Sequence, residues 1–163
     1  MTKILFVCHG NICRSPMAEF IMKDLVRKAG REGEFEIASA AASREEIGHD
    51  IYPPAKRCLT AHGVPFSRRA ARQITPADVR FYDHIIAMEG YNLRNLRRLL
   101  GPVYEENADK FSLLLDYTGR PGDVADPWYS GDFETAYSDI ERGCRGLLEK
   151  GLSRERQIPI IEH

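Results

Sequence analysis

Cysteine, long apolar runs and a surplus of either charge are all scarce in this 163-residue chain, and each scarcity closes off a class of protein. Four cysteines, Cys8, Cys13, Cys58 and Cys144, are too few and too scattered for a disulfide scaffold. The gap between Cys8 and Cys13 fits neither a thioredoxin pair nor a zinc knuckle, so no metal is expected there. No apolar stretch approaches the roughly 18–20 residues of a membrane span. The opening Met-Thr-Lys-Ile-Leu-Phe-Val-Cys reads as a strand rather than a signal peptide, which predicts a cytoplasmic protein. With 23 Lys+Arg against 24 Asp+Glu, the formal charge of −1 argues against nucleic acid or an acidic membrane as a partner. Basic residues cluster at Arg68, Arg69 and Arg72 and at Arg94, Arg97 and Arg98, and both sets are expected on solvated faces. Internal repeats, low-complexity runs and long linkers are missing, so one structural unit is expected over 1–150, followed by a mobile tail over 151–163.

What is present is an ordinary core composition, 43% apolar, at a length that buries roughly 68–70% of the unfolded chain's surface without staples. Strand and helix signals alternate. Lys3–Val7 is an apolar run of strand length, and Ser15-Pro16 starts a helix whose Met17, Phe20, Ile21 and Leu25 mark a buried stripe. Phe35–Ala40, His84–Met88 and Phe111–Leu115 read as further strands. Between them, Pro53-Pro54 opens a helix with Ala55, Cys58, Leu59 and His62 on one face, ending at Gly63, and Thr75-Pro76-Ala77-Asp78 is a capped start. A later helix with Leu93, Leu96, Leu99 and Leu100 on one side stops at Gly101-Pro102. Asp132 can cap a last helix bearing Phe133, Ala136, Tyr137, Ile140, Cys144, Leu147 and Leu148. The pattern predicts an α/β fold: a central four-stranded parallel sheet with helices on both sides and a phosphate-binding loop after the first strand.

Ligands in such sheets bind beyond the carboxyl ends of the strands. There the segment Cys8-His9-Gly10-Asn11-Ile12-Cys13-Arg14-Ser15 can turn successive backbone N–H groups inward, while the following helix adds its positive end. Gly10 and Asn11 tolerate the positive φ such a nest requires. That field favours the thiolate of Cys8, a nucleophile, and Arg14 offers a planar fork for two phosphoryl oxygens. Ser15 is placed to donate a hydrogen bond to the sulfur. A Gly-Lys-Ser/Thr signature is missing, which counts against a nucleoside-triphosphate site. The glycine- and proline-rich stretch Asp116–Gly131 reads as a long functional loop.

The run from Val7 to Glu19 resembles the phosphate loop of the low-molecular-weight protein tyrosine phosphatase family. The likeness continues through Ser39, His62-Gly63, Ala71–Thr75, Asp126-Pro127-Trp128-Tyr129 and Asp132–Thr135, covering nearly the whole chain to Lys150. It implies a protein-tyrosine phosphatase that needs neither cofactor nor metal, with Cys8 as nucleophile, Arg14 as phosphate clamp, Ser15 as thiolate donor and Asp126 as general acid. The residues His9 to Ser15 would cradle the phosphate. Sulfur attack calls for a separate proton donor on a segment over the pocket, which agrees with Asp126 in the long loop. A phosphotyrosine protein or peptide is the implied substrate, inorganic phosphate the product, and a tyrosine kinase the candidate partner that would supply the substrate.

Further roles follow from the same resemblance. Asn11, Ser15, Ser39 and His62 would form a network holding the loop, although His62 reads equally as a core histidine on its helical stripe. Cys13 would trap oxidised Cys8 as a disulfide. Trp128 and Tyr129 would wall the pocket beside Ile12, with Tyr129 a phosphorylation site. Glu45 and the segment Ala41–Ile47 would make the opposite wall; the family often carries an aromatic residue there, and Glu45 is expected to disfavour acidic peptides. Arsenate reductases share the loop but require two further cysteines, and residues 82–107 contain none. Phosphoarginine phosphatases typically carry threonine where Ile12 stands. A catalytically idle binding module would be expected to have lost one of Cys8, Arg14 and Asp126.

Overall fold

The computed structural model describes the backbone of residues 1–161 and the side chains of residues 1–149. Four strands, β1 (Thr2–Cys8), β2 (Phe35–Ala41), β3 (His84–Ala87) and β4 (Phe111–Leu113), form one sheet in the order β2-β1-β3-β4. All three pairings are parallel, with Val7 opposite both Ala40 and Ala87. The expected α/β sheet is therefore the one observed. Strand β1 is central, and Ile4 to Cys8 are buried, as an unbroken apolar run requires when both sheet faces are covered.

Because side chains alternate along a strand, β1 feeds two separate cores. Ile4, Phe6 and Cys8 pack with α1 (Arg14–Lys28), α2 (Pro53–Ala61) and α7 (Phe133–Ile161) through Met17, Ile21, Leu59, Ile140 and Cys144. Leu5 and Val7 face α3 (Pro76–Phe81), α4 (Gly90–Leu100) and α5 (Pro102–Glu106), where Val79, Leu96 and Leu100 fill the other core. Thr75 and Asp78 close a reciprocal capping box at the start of α3. Leu99, expected with its neighbours in the core, is 46% exposed. It lies off the line that joins Leu96 to Leu100, one turn apart.

Two boundaries differ from expectation. The fourth strand ends at Leu113, and Leu114–Tyr117 tightens into a 3-10 turn against α7. Gly143 and Gly146 make this approach feasible: a Cβ at Gly146 would stand 1.9 Å from the Tyr117 carbonyl oxygen, and one at Gly143 2.4 Å from Leu114 Cγ. Helix α7 runs on past Lys150 to Ile161; the mobile tail expected over 151–163 otherwise lies outside the described residues. No helix among the described residues is long and apolar enough to cross a membrane.

Candidate active site

All three catalytic candidates meet beyond the carboxyl edge of the sheet, in a pocket of ≈ 460 Å³ lined by Cys8, Arg14 and Asp126 together with Ile12, Glu89 and Trp128. Cys8 ends β1 and its sulfur lies 3.0 Å from Ser15 Oγ, while the Ser15 backbone N–H donates to it at 3.4 Å. Both donors belong to the first turn of α1, whose free N–H groups and positive end favour an anion at this point.

Arg14 is 2% exposed, and its fork is fixed from behind. Nη1 donates to the Val124 carbonyl at 2.7 Å and to Glu89 Oε2 at 3.1 Å, while Nη2 stands 3.5 Å from Asp126 Oδ2. Burial opposes the guanidinium charge, but Cys8, Asp126 and Glu89 outweigh it and hold Arg14 above its ordinary pKa. Glu89 had no assigned role in the sequence, where only its position at the end of the third strand marked it. The loop carrying Asp126 is anchored: the Val124 N–H donates to Met88 O at 2.9 Å, and Asp123 accepts from the Gly90 N–H at 3.0 Å. Asp126 also caps the short α6 (Pro127–Ser130), accepting from the Trp128 N–H at 3.0 Å.

The phosphate loop is shaped by Asn11, which is fully buried with φ of 59°. Its Nδ2 donates to Ser15 Oγ at 2.8 Å and to Ser39 Oγ at 2.9 Å, and Ser39 passes its own proton to Glu19 at 2.6 Å. Of the two residues that tolerate a positive φ here, Asn11 adopts it and Gly10 does not. Its lack of a side chain serves close approach instead, since a Cβ there would lie 3.2 Å from Glu46 Cγ.

His62 does not join this network. It falls just beyond α2 as the C-cap, so its ring turns toward α7, hydrogen-bonding Glu134 at 2.6 Å and stacking on Tyr137 at 3.7 Å. The outer support of the loop comes from Arg69, whose Nη2 donates to the Asn11 carbonyl at 2.6 Å and to the Asn11 side-chain oxygen. The expectation of solvated faces thus fails for two of the basic residues: Arg69 and Arg72 are half-buried, and Arg72 pairs with Asp78 through both nitrogens at 2.8 and 3.2 Å. No periodic signal marks a loop arginine that folds inward; the spacing of Arg69 from Asn11 is purely tertiary.

At the mouth, Trp128 is 50% exposed with its ring 4.6 Å from Tyr52, and Tyr129 also lines the pocket. Glu45, which bonds His9 Nε2 at 2.8 Å, Glu46 and Tyr91, whose ring lies 6.3 Å from that of His9, line it as well. Cys13 caps α1 and lines the same pocket; burial, then the charges of Cys8 and Asp126, push its thiol well above the ordinary range, so it is a thiol at neutral pH. Cys58 and Cys144 are buried in the core on the α1 side.

A sulfur and a pre-set guanidinium converging under a carboxylic acid define a cysteine-dependent phosphohydrolase. The family of low molecular weight phosphotyrosine protein phosphatases matches residues 3–158, and the chain belongs to it. It is 39% identical over 160 residues to the low molecular weight protein-tyrosine-phosphatase YfkJ of Bacillus subtilis, covering 97% of this chain and 100% of that one. The human low molecular weight phosphotyrosine protein phosphatase is 41% identical over 150 residues, 90% of this chain and 94% of that protein. Among solved structures, YfkJ superposes with a TM-score of 0.88 at 39% identity, over 96% of this chain and 98% of that one. A Drosophila arginine phosphatase superposes with a TM-score of 0.82 at 32% identity, over 91% of this chain and 97% of that one.

Proposed function

We propose that the protein hydrolyses phosphotyrosine in proteins or peptides in two steps. Cys8 sulfur attacks phosphorus, the bond to the tyrosine oxygen breaks, and Asp126 protonates the departing phenolate. Asp126 then takes a proton from water as the water oxygen attacks phosphorus, the S–P bond breaks, and inorganic phosphate leaves with the Cys8 thiolate restored. Arg14 holds two equatorial oxygens as charge gathers on them, and Ser15 stabilises the sulfur between turnovers. The observation that carries this reading is the position of Arg14: one guanidinium edge is fixed by Glu89 and Val124, while Nη2 faces Asp126 at 3.5 Å, so clamp and acid serve one pocket. Each proton and electron pair is routed through Cys8, Asp126 and water, with Cys13 the resolving thiol should Cys8 be oxidised. Tyr129, 86% exposed at the rim, is open to phosphorylation, which would add about two negative charges there. The site of action is the cytoplasm, where a tyrosine kinase would supply the substrates.

Phosphoarginine is the second reading, favoured by the similarity to the Drosophila arginine phosphatase. The apolar Ile12 at the pocket wall favours an aromatic ring over a charged guanidinium. The test is phosphate release from phosphotyrosine and phosphoarginine peptides side by side, with EDTA present and the Cys8→Ser protein as blank. Turnover of phosphotyrosine that the chelator does not slow supports the proposal. Turnover of phosphoarginine alone overturns the specificity, and an active Cys8→Ser protein overturns the mechanism.

A further inference from the structure

Away from the pocket, Cys58, His62 and Glu134 each offer one ligand atom within 4.8 Å of the other two. Cys58 lies in the last turn of α2, His62 is the C-cap that follows it, and Glu134 comes from the first turn of α7, 72 residues after His62. His62 Nε2 already meets Glu134 Oε2 at 2.6 Å, and stacking on Tyr137, with the rings 9° from parallel, fixes the plane of the imidazole. The sulfur makes only a 3.6 Å contact to the Phe133 carbonyl. None of the three takes part in phosphoryl transfer, and this grouping departs from the sequence-based expectation of no metal.

We propose that Cys58, His62 and Glu134 bind one borderline-soft divalent cation of the zinc class, with the fourth coordination position open to solvent. A thiolate with an imidazole selects zinc over magnesium or calcium, which demand all-oxygen shells. Zinc bonds of about 2.3 Å to sulfur and about 2.0–2.2 Å to nitrogen and oxygen set tetrahedral ligand pairs about 3.3–3.6 Å apart. The Glu134 side chain is 67% exposed, so its carboxylate can turn from His62 toward a bound ion. The ion breaks the His62–Glu134 hydrogen bond: the Nε2 proton moves to Nδ1, the Cys58 thiol proton goes to solvent, and the ion accepts lone pairs from the sulfur, from His62 Nε2 and from one Glu134 oxygen. Thiolate and carboxylate together neutralise its two charges. Binding fastens α2 to the start of α7 next to Phe133, which packs against Ile12, Cys13 and Ala71 beneath the phosphate loop. The ion therefore stabilises the fold from outside the pocket.

The test uses the full-length Cys8→Ser/Cys13→Ser protein, in which the pocket thiols cannot compete, titrated with Co2+ and then Zn2+. The expected result is saturation at one ion per chain with a thiolate-to-cobalt charge-transfer band that Zn2+ abolishes, and a Tm raised by Zn2+. Adding Cys58→Ser removes the band and the Tm rise. His62→Gln and Glu134→Gln, both at the surface, each weaken binding by at least about tenfold, since even the outer partners of metal ligands are worth that much. A band that survives Cys58→Ser, no saturable binding, or an affinity unmoved by both surface variants overturns the proposal. Should Cys58→Ser fail to fold, the two surface variants decide the matter alone.

Discussion

Arg69 grips Asn11 at two oxygens, the backbone carbonyl at 2.6 Å and the side-chain amide oxygen. Among the described residues Asn11 is the one non-glycine with positive φ, and its amide nitrogen reaches Ser15, the partner of the Cys8 sulfur. A guanidinium near the loop's outer face is thus three hydrogen bonds from the nucleophile, through Asn11 and Ser15.

Removing that grip leaves the carbonyl of a buried, positive-φ asparagine without its partner and its side-chain oxygen with the Arg72 N–H alone, at 3.3 Å. Arg69→Ala is expected to lower kcat by about 10- to 100-fold, the rate equivalent of ~1.5–3 kcal/mol for hydrogen bonds to a charged group. Arg69→Lys is expected to recover part of the loss. The pH–rate profile separates positioning from general loosening: a shifted acid limb for Arg69→Ala marks an effect on the reacting groups, and an unshifted profile with an equal fall in Tm for both variants contradicts it.

Asp126 has two duties that substitution can pull apart, because it both faces Arg14 and caps α6. Asp126→Ala is expected to slow aryl phosphate hydrolysis by about 10²–10⁴-fold, the usual share of general acid catalysis. Asp126→Asn preserves the cap and is expected to be equally slow, with both variants approaching wild type on substrates whose leaving group needs no proton. Near-normal turnover of phosphotyrosine by Asp126→Asn would assign the residue to capping alone.

The close approach of α7 to the Leu114–Tyr117 turn gives a stability prediction. Gly146→Ala places a methyl group against a backbone carbonyl that cannot rotate away. The expected cost is about 1–3 kcal/mol or more, read as a fall of several degrees in Tm. Gly33→Ala, with nothing within 4 Å of the added carbon, is the control and is expected to leave Tm unchanged.

Asp50 links the segment after the phosphate loop to acid stability. Burial works against its charge, yet the Lys56 ammonium at 2.6 Å and the N–H groups of Ile51 and Arg69 hold its carboxyl down to about 2. The folded value lies below the unfolded one, so its contribution is fully present above about pH 4 and is lost as pH falls toward 2. Asp50→Asn is expected to lower Tm at neutral pH and to flatten the acid limb of Tm against pH. An unchanged limb would show that other carboxylates govern it.

The sequence carried the elements whose signal is periodic. The apolar run of β1 followed by a proline-started helix located the phosphate loop, and the face of α7 from Ala136 to Leu147 packs where its spacing placed it. What escaped were contacts between segments without period. The stripe on α2 assigned His62 a face but could not say that its ring, one residue past the helix end, would swing to Glu134 rather than Ser39. Arg69 read as a solvated residue because nothing local distinguishes an arginine facing water from one folded under a loop 58 residues away. The closeness of Glu46 to Gly10 was equally hidden, since it joins segments 36 residues apart.

Val124 and Glu89 hold Arg14 from behind, so its fork is arranged by the fold itself. A clamp assembled in advance recognises the dianion and not the ester around it. Orthophosphate released at the end of one cycle meets the same fork as the next phosphotyrosine, and the two compete. Added orthophosphate is therefore expected to raise KM for phosphotyrosine and leave kcat unchanged.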